Sequence, residues 1–590
     1  FLIMPALVTR KFRIHNAKQF KESVEESSAW GGATVDGSEG STSLNDHYYL
    51  FIGKTTEWTD DNDPDIPLDT KTENTYSPWD SMISMKKVGY GDISHVIPRY
   101  NWTSNTVYSM YTHDDPEMHS NTTSPLIVMT SDFNVYKCLD NANNSVSTSR
   151  PISVSTESGA IDDKYGQDNY KWKYLYTITA AEALKFVTPN FIPVKTLRSA
   201  NSAGFSGSTG IAYDDGSAQY DIETNAVDGS IEVYTVEQKG SGYQFFSGSC
   251  LDGVNDSSTT KVVSLTSGVN VTNGVYDNSG IYVNNLVRKV LSYEYDANNS
   301  KAIFTLDEAL PSAATGAFHV FPQIKVYGDG VGANARCLEG SESGTIGAVF
   351  AGDVGANYGS AEVKVIQNGY SASGIGGIVK PIISPKGGHG YDIVEETGAN
   401  YVMVNSRLEQ SENDKFTVSN DFRKLGVIKN PLTANGTHRY TETVGTQAVT
   451  VRVGSVSGTG FISDNVIEGQ TSGATAKIVD VTDVEVNGVN YKDLRVISIV
   501  NGPGLSDRNN GVTPVVGSDM TNIAGGMVSG IMGGLIDGEG ITCSGSTATL
   551  ISLTAGEMKK YTGDIIYIEN RSPVARAADQ TEDIKLIIEF

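Results

Sequence analysis

The sequence predicts a mainly β protein: a multi-layer β-sandwich core with a few short helices, joined by insertion domains of the β-sandwich or barrel type. The 590 residues include 62 glycines and 18 prolines, and few long stretches lack both, which disfavours long helices and favours many short strands. Segments rich in aromatic and β-branched residues are separated by turns of Gly, Asn and Asp, as in sandwiches and barrels. A chain of this length should hold several domains, because single cores stop growing at ~250–300 residues.

Two capping boxes predict helices in the first third of the chain. Asn16 and Gln19 have the required spacing, and so do Thr179 and Glu182. In each pair the first side chain can accept a hydrogen bond from the helix start, and the second can reach back to it. We expect one helix to begin at each pair.

A third helix is predicted between Ser77 and Gly89. Pro78 would occupy the first helical position, and Gly89 would end the helix. Strands are predicted at 48–52, 126–129 and 172–178 from their aromatic and β-branched residues.

Beyond residue 205 helix signals nearly vanish. Segments 231–236 and 362–366 alternate between apolar and polar residues and run into glycine turns. The stretch 460–479 has the pattern of a small β module. At the carboxyl end, Ile584, Leu586, Ile588 and Phe590 alternate, which predicts a strand with one apolar face.

The negative net charge limits the kinds of partner that the chain can bind. A net charge of −25 argues against a nucleic-acid partner, because phosphate binding requires clustered Lys and Arg. We expect no membrane insertion, since the longest weakly apolar run, 524–536, is glycine-rich and short. The apolar start, 1–8, has neither the basic region nor the cleavage site of a secretion signal.

The four cysteines are too widely spaced for a paired motif, which predicts reduced and mostly buried thiols. They are Cys138, Cys250, Cys337 and Cys543.

Three polar runs are candidates for chemistry. DDNDPD at 60–65 has alternating acidic oxygens that suit calcium, but the later ligands of a calcium loop are missing. HDDPEMH at 113–119 offers imidazoles and carboxylates, but a proline interrupts them. KGGHGYD at 386–392 surrounds one histidine with glycines, which favours a demanding turn over a catalytic site. We therefore expect no metal, no cofactor and no catalytic residues.

Seven blocks of the sequence, in order, resemble the gene-eight type of baseplate wedge protein of T-even-like contractile-tailed bacteriophages. The blocks are ALVTRKFRI (6–14), YLFIGKTTEW (49–58), HVIPRYNW (95–102), VYKCLD (135–140), DNYKWKYLYTI (168–178), FRKLGVIKNPL (422–432) and the tail 563–590. The resemblance covers about 1–204, 381–434 and 555–590.

The resemblance implies a discontinuous wedge core split by two β-rich insertions. The expected core segments are 1–204, 381–434 and 554–590, the last of which holds the C-terminal strand. The expected insertions are 205–380 and 435–553. Both insertions are expected to be sandwich or barrel domains placed in surface loops, where added length costs little.

The same resemblance implies a structural, non-enzymatic subunit. Such a protein would lie in the virion tail baseplate after assembly in the host cytoplasm, as a homodimer that contacts other wedge proteins. The structural or interface candidates from the matched blocks are Trp58, Pro98, Arg99, Trp102, Trp172, Tyr174, Asn570, Arg571 and Asp579.

Two other function classes stay open from the residues alone. A carbohydrate-binding adhesin would contact a host glycan through exposed Tyr and Trp on the insertions. A polysaccharide depolymerase would use a parallel β-helix, but the chain lacks the regular repeat that this fold requires.

Overall fold

The structure, a computed structural model, divides into two compact units, Phe1–His95 with Asn400–Phe590 (unit 1) and Val96–Ala399 (unit 2). The five predicted segments stay a prediction. The residues described are 7–29, 46–154, 168–197, 216–251, 256–366, 369, 374–410, 412, 414–500, 535, 538–577 and 579–590.

Strands dominate the described residues, so the predicted mainly β class with few short helices is confirmed. The strands of the first half are β1 (Tyr48–Gly53), β2 (Met82–Lys87), β3 (Ile93–Pro98), β4 (Ile127–Met129), β5 (Asn134–Asn141), β6 (Tyr170–Thr177), β7 (Phe191–Val194), β8 (Ile231–Ser241), β9 (Phe246–Ser249), β10 (Lys261–Leu265), β11 (Gly280–Val283), β12 (Leu286–Asp296), β13 (Lys301–Leu306), β14 (Ala317–Phe321) and β15 (Gln323–Gly328). Those of the second half are β16 (Ala335–Glu339), β17 (Ile346–Ala351), β18 (Ala361–Ile366), β19 (Ile375–Ile383), β20 (Tyr401–Glu409), β21 (Phe422–Lys429), β22 (Val444–Thr446), β23 (Val449–Ser457), β24 (Val466–Gly469), β25 (Thr475–Val486), β26 (Val489–Val500), β27 (Gly540–Cys543), β28 (Ser546–Thr554), β29 (Asp564–Val574) and β30 (Thr581–Glu589).

Helices are short apart from the first. They are α1 (Arg10–Ala29), α2 (Ser77–Ser81), α3 (Ala180–Phe186), α4 (Ala218–Thr224) and α5 (Ile393–Glu396), with a π-helical turn at Thr72–Tyr76 and a 3-10 turn at Tyr90–Asp92. None of the helices in the described ranges is long and apolar enough to cross a membrane.

The main sheet of unit 1 joins strands that are far apart in sequence. Its order is β22-β2-β1-β21-β29, and β21 pairs antiparallel with β1 on one side and with β29 on the other. Gly426 pairs with both Phe51 and Ile568. A Cβ on Gly426 would lie 2.3 Å from the carbonyl oxygen of Tyr567, so this position in β21 requires glycine.

The C-terminal strand buries one face in the core of unit 1. β30 pairs antiparallel with β20, and Ile584 and Leu586 are buried, with Ile588 and Phe590 packed against the same cluster. The ring centroids of Phe20 on α1 and Phe590 lie 5.5 Å apart. The predicted alternating apolar face of the tail is therefore confirmed.

A closed barrel in unit 1 has its own hydrophobic core. Its strand order is β23-β26-β25-β24-β27-β28, and these strands span Val449 to Thr554. Val451, Ile478 and Leu550 are among the side chains buried inside it. The barrel-like component of the predicted fold class is thus present, at the place of the sequence pattern at 460–479.

Unit 2 contains several antiparallel sheets. The three-stranded sheet has the order β4-β5-β6, the six-stranded sheet β10-β13-β12-β11-β14-β9, and the four-stranded sheet β17-β16-β15-β18, while β8 pairs with β19. Phe304 and Phe318 lie in the core of the six-stranded sheet, and Ile324 and Tyr358 lie in that of the four-stranded sheet.

Two helix predictions are wrong. α1 begins at Arg10, so Asn16 lies inside the helix, and the Thr9 hydroxyl accepts from the Phe12 amide in the capping role. The helix predicted from Ser77 to Gly89 ends at Ser81. The residues after Ser81 form β2, because pairing with β1 and β22 satisfies their backbone groups in a sheet.

Other local predictions are confirmed. Thr179 and Glu182 form a reciprocal capping box at the start of α3. The predicted strands correspond to β1, β4 and β6. The cysteines are free, and all are buried except Cys250, which is half-buried. Residues 1–6 and the run 524–536, apart from Leu535, lie outside the described residues.

The burial of the tail predicts a position-dependent loss of stability. Leu586→Ala should lower the free energy of unfolding by ~2–5 kcal/mol, because it removes a core side chain and leaves a cavity. Ile566→Ala is the matched control, since Ile566 on β29 is 45% exposed and should change stability by less than ~0.5 kcal/mol. Urea denaturation measures both, and equal losses would contradict the packing of β30.

Candidate functional site

The glycine-rich run at 386–392 forms a turn that only glycine can build. Gly387, Gly388 and Gly390 have φ of 87°, 97° and 92°, a region that other residues rarely adopt. A Cβ on Gly388 would lie 2.5 Å from a backbone nitrogen. Asp392 then caps α5, since its carboxylate accepts from the amides of the first turn. The predicted demanding turn is confirmed, and it directs His389 inward.

His389 meets a buried ion pair. The Glu396 Oε1 atom lies 2.6 Å from Lys137 Nζ and 3.0 Å from His389 Nδ1. The Lys137 ammonium lies 3.8 Å from the ring centroid of Tyr111, a cation–π contact. The Tyr111 and His389 rings meet edge to face at 4.8 Å. These contacts link Tyr111, Lys137 on β5, and the glycine turn with α5 into one network within unit 2.

Further charges lie on the strands beside this pair. Lys171 Nζ donates to the Glu232 carbonyl oxygen at 2.9 Å and lies 3.7 Å from the Glu232 carboxylate. Lys173 stands opposite Lys137 in the register of β5 and β6. All of these side chains are buried. We call Lys137, Lys171, Lys173, Glu232, His389, Glu396 and Tyr111 the buried ion cluster.

The carboxylates of the buried ion cluster are held in the charged form. Burial alone would raise the pKa of Glu396, but the charge of Lys137 and the hydrogen bond from His389 outweigh burial and lower it to about 2. Burial opposes ionisation of Glu232 in the same way, but the charges of Lys171 and Lys173 lower its pKa to about 2. Both carboxylates are therefore ionised at neutral pH.

His389 is held in the neutral form. Burial lowers the pKa of His389, and the charge of Lys137 lowers it further, against the opposing effect of Glu396. Neutral His389 can donate its Nδ1 proton to Glu396. Three ammonium groups and two carboxylates then leave a formal excess of one positive charge in the buried ion cluster. Such a network fixes how β5, β6, β8 and α5, which carry these side chains, pack together.

The cysteine next to Lys137 on β5 is not activated as a nucleophile. The nearest thiol along β5 is Cys138, whose Sγ donates to the Asp140 carbonyl oxygen at 3.5 Å. Burial raises the pKa of the Cys138 thiol well above its usual range. A protonated, buried thiol is a poor nucleophile. Burial lowers the pKa of Lys137, against the opposing charge of Glu396, to which its ammonium donates at 2.6 Å. The arrangement therefore supplies charge pairing and rigidity.

His389 lies in a run that stands out in the sequence, but its charged partners do not. The signal that could have found these partners is the pair of lysines at alternate positions of the aromatic strand β6. Every residue of this strand except Trp172 and Thr177 is buried. A strand buried on both faces places its lysines inside, where each requires a carboxylate. Glu232 and Glu396 lie too far along the chain for spacing to identify them.

The unit 1 candidates lie around the end of β29. The indole Nε1 of Trp58 donates to the Arg571 carbonyl oxygen at 3.0 Å, and the Asn570 amide donates to the Asp65 carbonyl oxygen at 2.8 Å. These contacts bring Trp58, Asn570 and Arg571 together, where they attach the 58–65 loop to β29. Asp579 is exposed.

Three unit 2 candidates follow the end of β3. Pro98 is exposed. Arg99 donates from its guanidinium to the Thr188 carbonyl oxygen at 3.0 Å. The indole of Trp102 donates to the Ser147 hydroxyl at 3.2 Å. Arg99 and Trp102 therefore hold loops of unit 2 in place.

The last two candidates lie on β6, the strand that carries Lys171 and Lys173. Trp172 is half-buried and stacks on Tyr170, with ring centroids 5.6 Å apart. The Tyr174 hydroxyl shares a 2.6 Å hydrogen bond with Thr177. Both rings pack within the three-stranded sheet.

The two acidic runs take part in local contacts. In the 60–65 run, both Asp61 carboxylate oxygens accept from the Arg423 guanidinium at 2.8 and 2.9 Å, a bidentate pair. In the 113–119 run, Asp114 pairs with Lys380 at 2.7 Å. Across the described residues, no group of three or more His, Cys, Asp or Glu side chains could hold a metal ion.

Two comparisons, with protein-family models and with curated proteins, identify no relative. The chain matches no protein-family model, and no curated protein is similar to it at a significant level.

Breaking the buried ion pair should be costly. Lys137→Met leaves the Glu396 carboxylate buried without its partner and should lower the free energy of unfolding by ~3–5 kcal/mol. The matched control is Lys380→Met in the exposed pair with Asp114, which should cost ~0–1 kcal/mol. Urea denaturation measures the two losses. Similar losses for both variants would show that the buried pair contributes no more to stability than the exposed pair.

The neutral state of His389 predicts a pH dependence of stability. Below pH 6.5 the unfolded chain gains a proton on this histidine that the folded chain does not, so stability should fall by up to ~1.4 kcal/mol per pH unit. Below pH 4.5, protonation of Glu396 and Glu232 in the unfolded chain adds a further loss down to about pH 2.

His389→Gln tests the first of these pH windows. The variant should show a shallower fall in melting temperature between pH 6.5 and pH 5 than the wild-type chain. Two other buried histidines with lowered pKa, His47 and His95, are present in both proteins, so their contributions cancel. Parallel curves in this window would rule out a neutral His389.

Proposed function

We propose that this chain is a structural subunit of the baseplate of a contractile phage tail, of the gene-eight wedge type. One observation carries the proposal: the blocks that resemble this family become neighbouring strands. YLFIG in β1, FRKLGVIK in β21 and the tail strand β29 are adjacent in one sheet of unit 1. VYKCLD in β5 and YKWKYLYT in β6 are paired in unit 2.

This grouping supports the resemblance, because chance matches have no reason to meet in space. The first and last of the three unit 1 blocks are separated by more than 500 residues. Blocks that form adjacent strands of one sheet are what a shared scaffold requires.

The buried ion cluster supports a mechanical role rather than an enzymatic one. Glu396 is satisfied by Lys137 and His389, so its charge is committed to holding β5, the glycine turn and α5 together. A subunit that must keep its fold while neighbouring proteins pull on it is stabilised by such fixed internal contacts. We propose no hydrolase or lyase activity on envelope glycans.

The proposed subunit is a homodimer that contacts other wedge proteins. A two-fold interface requires a self-complementary surface, and the aromatic-rich first third of the chain is the proposed location. Sedimentation of the purified chain at micromolar concentration measures this state directly.

Antibody labelling tests the location. Gold-labelled antibodies raised against the purified chain should bind tailed particles of the phage that encodes it, at the end of the tail distal to the capsid. Antibodies against a sheath protein are the control and should label the length of the tail. Labelling along the sheath or on the capsid would refute the baseplate assignment, whatever the state in solution.

A further inference from the structure

The outer face of the four-stranded sheet in unit 2 carries a tyrosine between two lysines. Along β15, Ile324 and Val326 pack into the core below, while Lys325 and Tyr327 alternate with them and are exposed. Lys364 on β18 stands directly opposite Lys325 in the antiparallel register. These three side chains therefore share one solvent-facing surface, which we call the tyrosine platform.

Both ammonium groups of the tyrosine platform lie over the same ring. Lys325 Nζ is 4.9 Å and Lys364 Nζ is 5.3 Å from the centroid of Tyr327. The ring is 41% exposed. In the described residues of the chain, neither lysine forms an ion pair with a carboxylate. Two positive charges and a partly exposed aromatic ring are thus presented together.

Two neighbouring lysines are unfavourable for stability, and they are positive charges on a chain whose net charge is −25. Like charges directly opposite on neighbouring strands repel each other. Lysines often protect an edge strand from unwanted pairing, which accounts for Lys364, since β18 is at the edge of the sheet. It does not account for Lys325, because β15 lies between β16 and β18.

We propose that the tyrosine platform binds a saccharide that carries carboxylate groups. A sugar ring would lie against the exposed part of Tyr327, and its carboxylate would draw the ammonium groups of Lys325 and Lys364 from the ring and bind between them. The carboxylate supplies an ion-pair partner for both lysines and reduces the repulsion between them. Glu362, which pairs with Tyr327 in register on the same face, opposes binding by its negative charge. This activity is independent of the proposed structural role.

Binding of oligogalacturonate to the full chain tests the proposal. Biolayer interferometry at low salt should detect binding that weakens as salt rises, because exposed charges are screened. Lys325→Gln and Lys364→Gln should each weaken binding by about fivefold, and Glu362→Gln should strengthen it. Lys386→Gln removes the same charge from an exposed position elsewhere in unit 2 and should leave binding unchanged.

Two further probes separate the saccharide from charge alone. Methyl-esterified oligogalacturonate has the same backbone without the carboxylates and should not bind. Polyglutamate has carboxylates without sugar rings, and Tyr327→Leu should weaken binding of the saccharide but not of polyglutamate. Equal binding of polyglutamate with no effect of Tyr327→Leu would overturn the proposal in favour of an acidic protein partner. No binding of oligogalacturonate by the wild-type chain would also overturn it.

Discussion

The main sheet of unit 1 depends on one strand, β21, which is hydrogen-bonded to β1 on one edge and to β29 on the other. Each partner is more than a hundred residues away along the chain. Without β21, β1 and β29 would have no backbone connection within this sheet. The buried contacts around it, from Leu50 to Leu425, are possible only once these distant segments are aligned.

The packing of unit 2 depends instead on the pairing of the charged side chains that it buries. Moving an ammonium group and a carboxylate out of water is costly, and their attraction offsets this cost only with good geometry. Lys137 and Glu396 achieve that geometry because the glycine turn directs His389 and α5 toward β5. The three glycines with positive φ allow this turn. They are therefore also required for the pairing of the buried charges.

Local signals were sufficient for some elements and not for others. The Thr179 capping box and the aromatic strand β6 are specified by neighbouring residues, so the sequence predicts them. The segment after Ser81 fails as a helix because its backbone partners in β1 and β22 are remote. Asn16 has the spacing of a cap, yet the helix starts earlier, at Arg10, with Thr9 in the capping role. For the buried ion cluster, Lys171 and Lys173 were visible on a buried strand, but Glu232 and Glu396 are brought to them only by the tertiary fold.

The long separation between β1 and β29 has a consequence for synthesis of the protein. At ~5–20 residues per second, the ribosome needs about half a minute to two minutes to pass from the first of these strands to the last. β2 follows soon and pairs with one edge of β1, but the other edge waits for β21, and β21 in turn waits for β29. Pairing over such distances is also intrinsically slow. A nascent chain of this kind is exposed to misassembly before it is complete, and chaperones that cover unpaired strands would favour its correct folding.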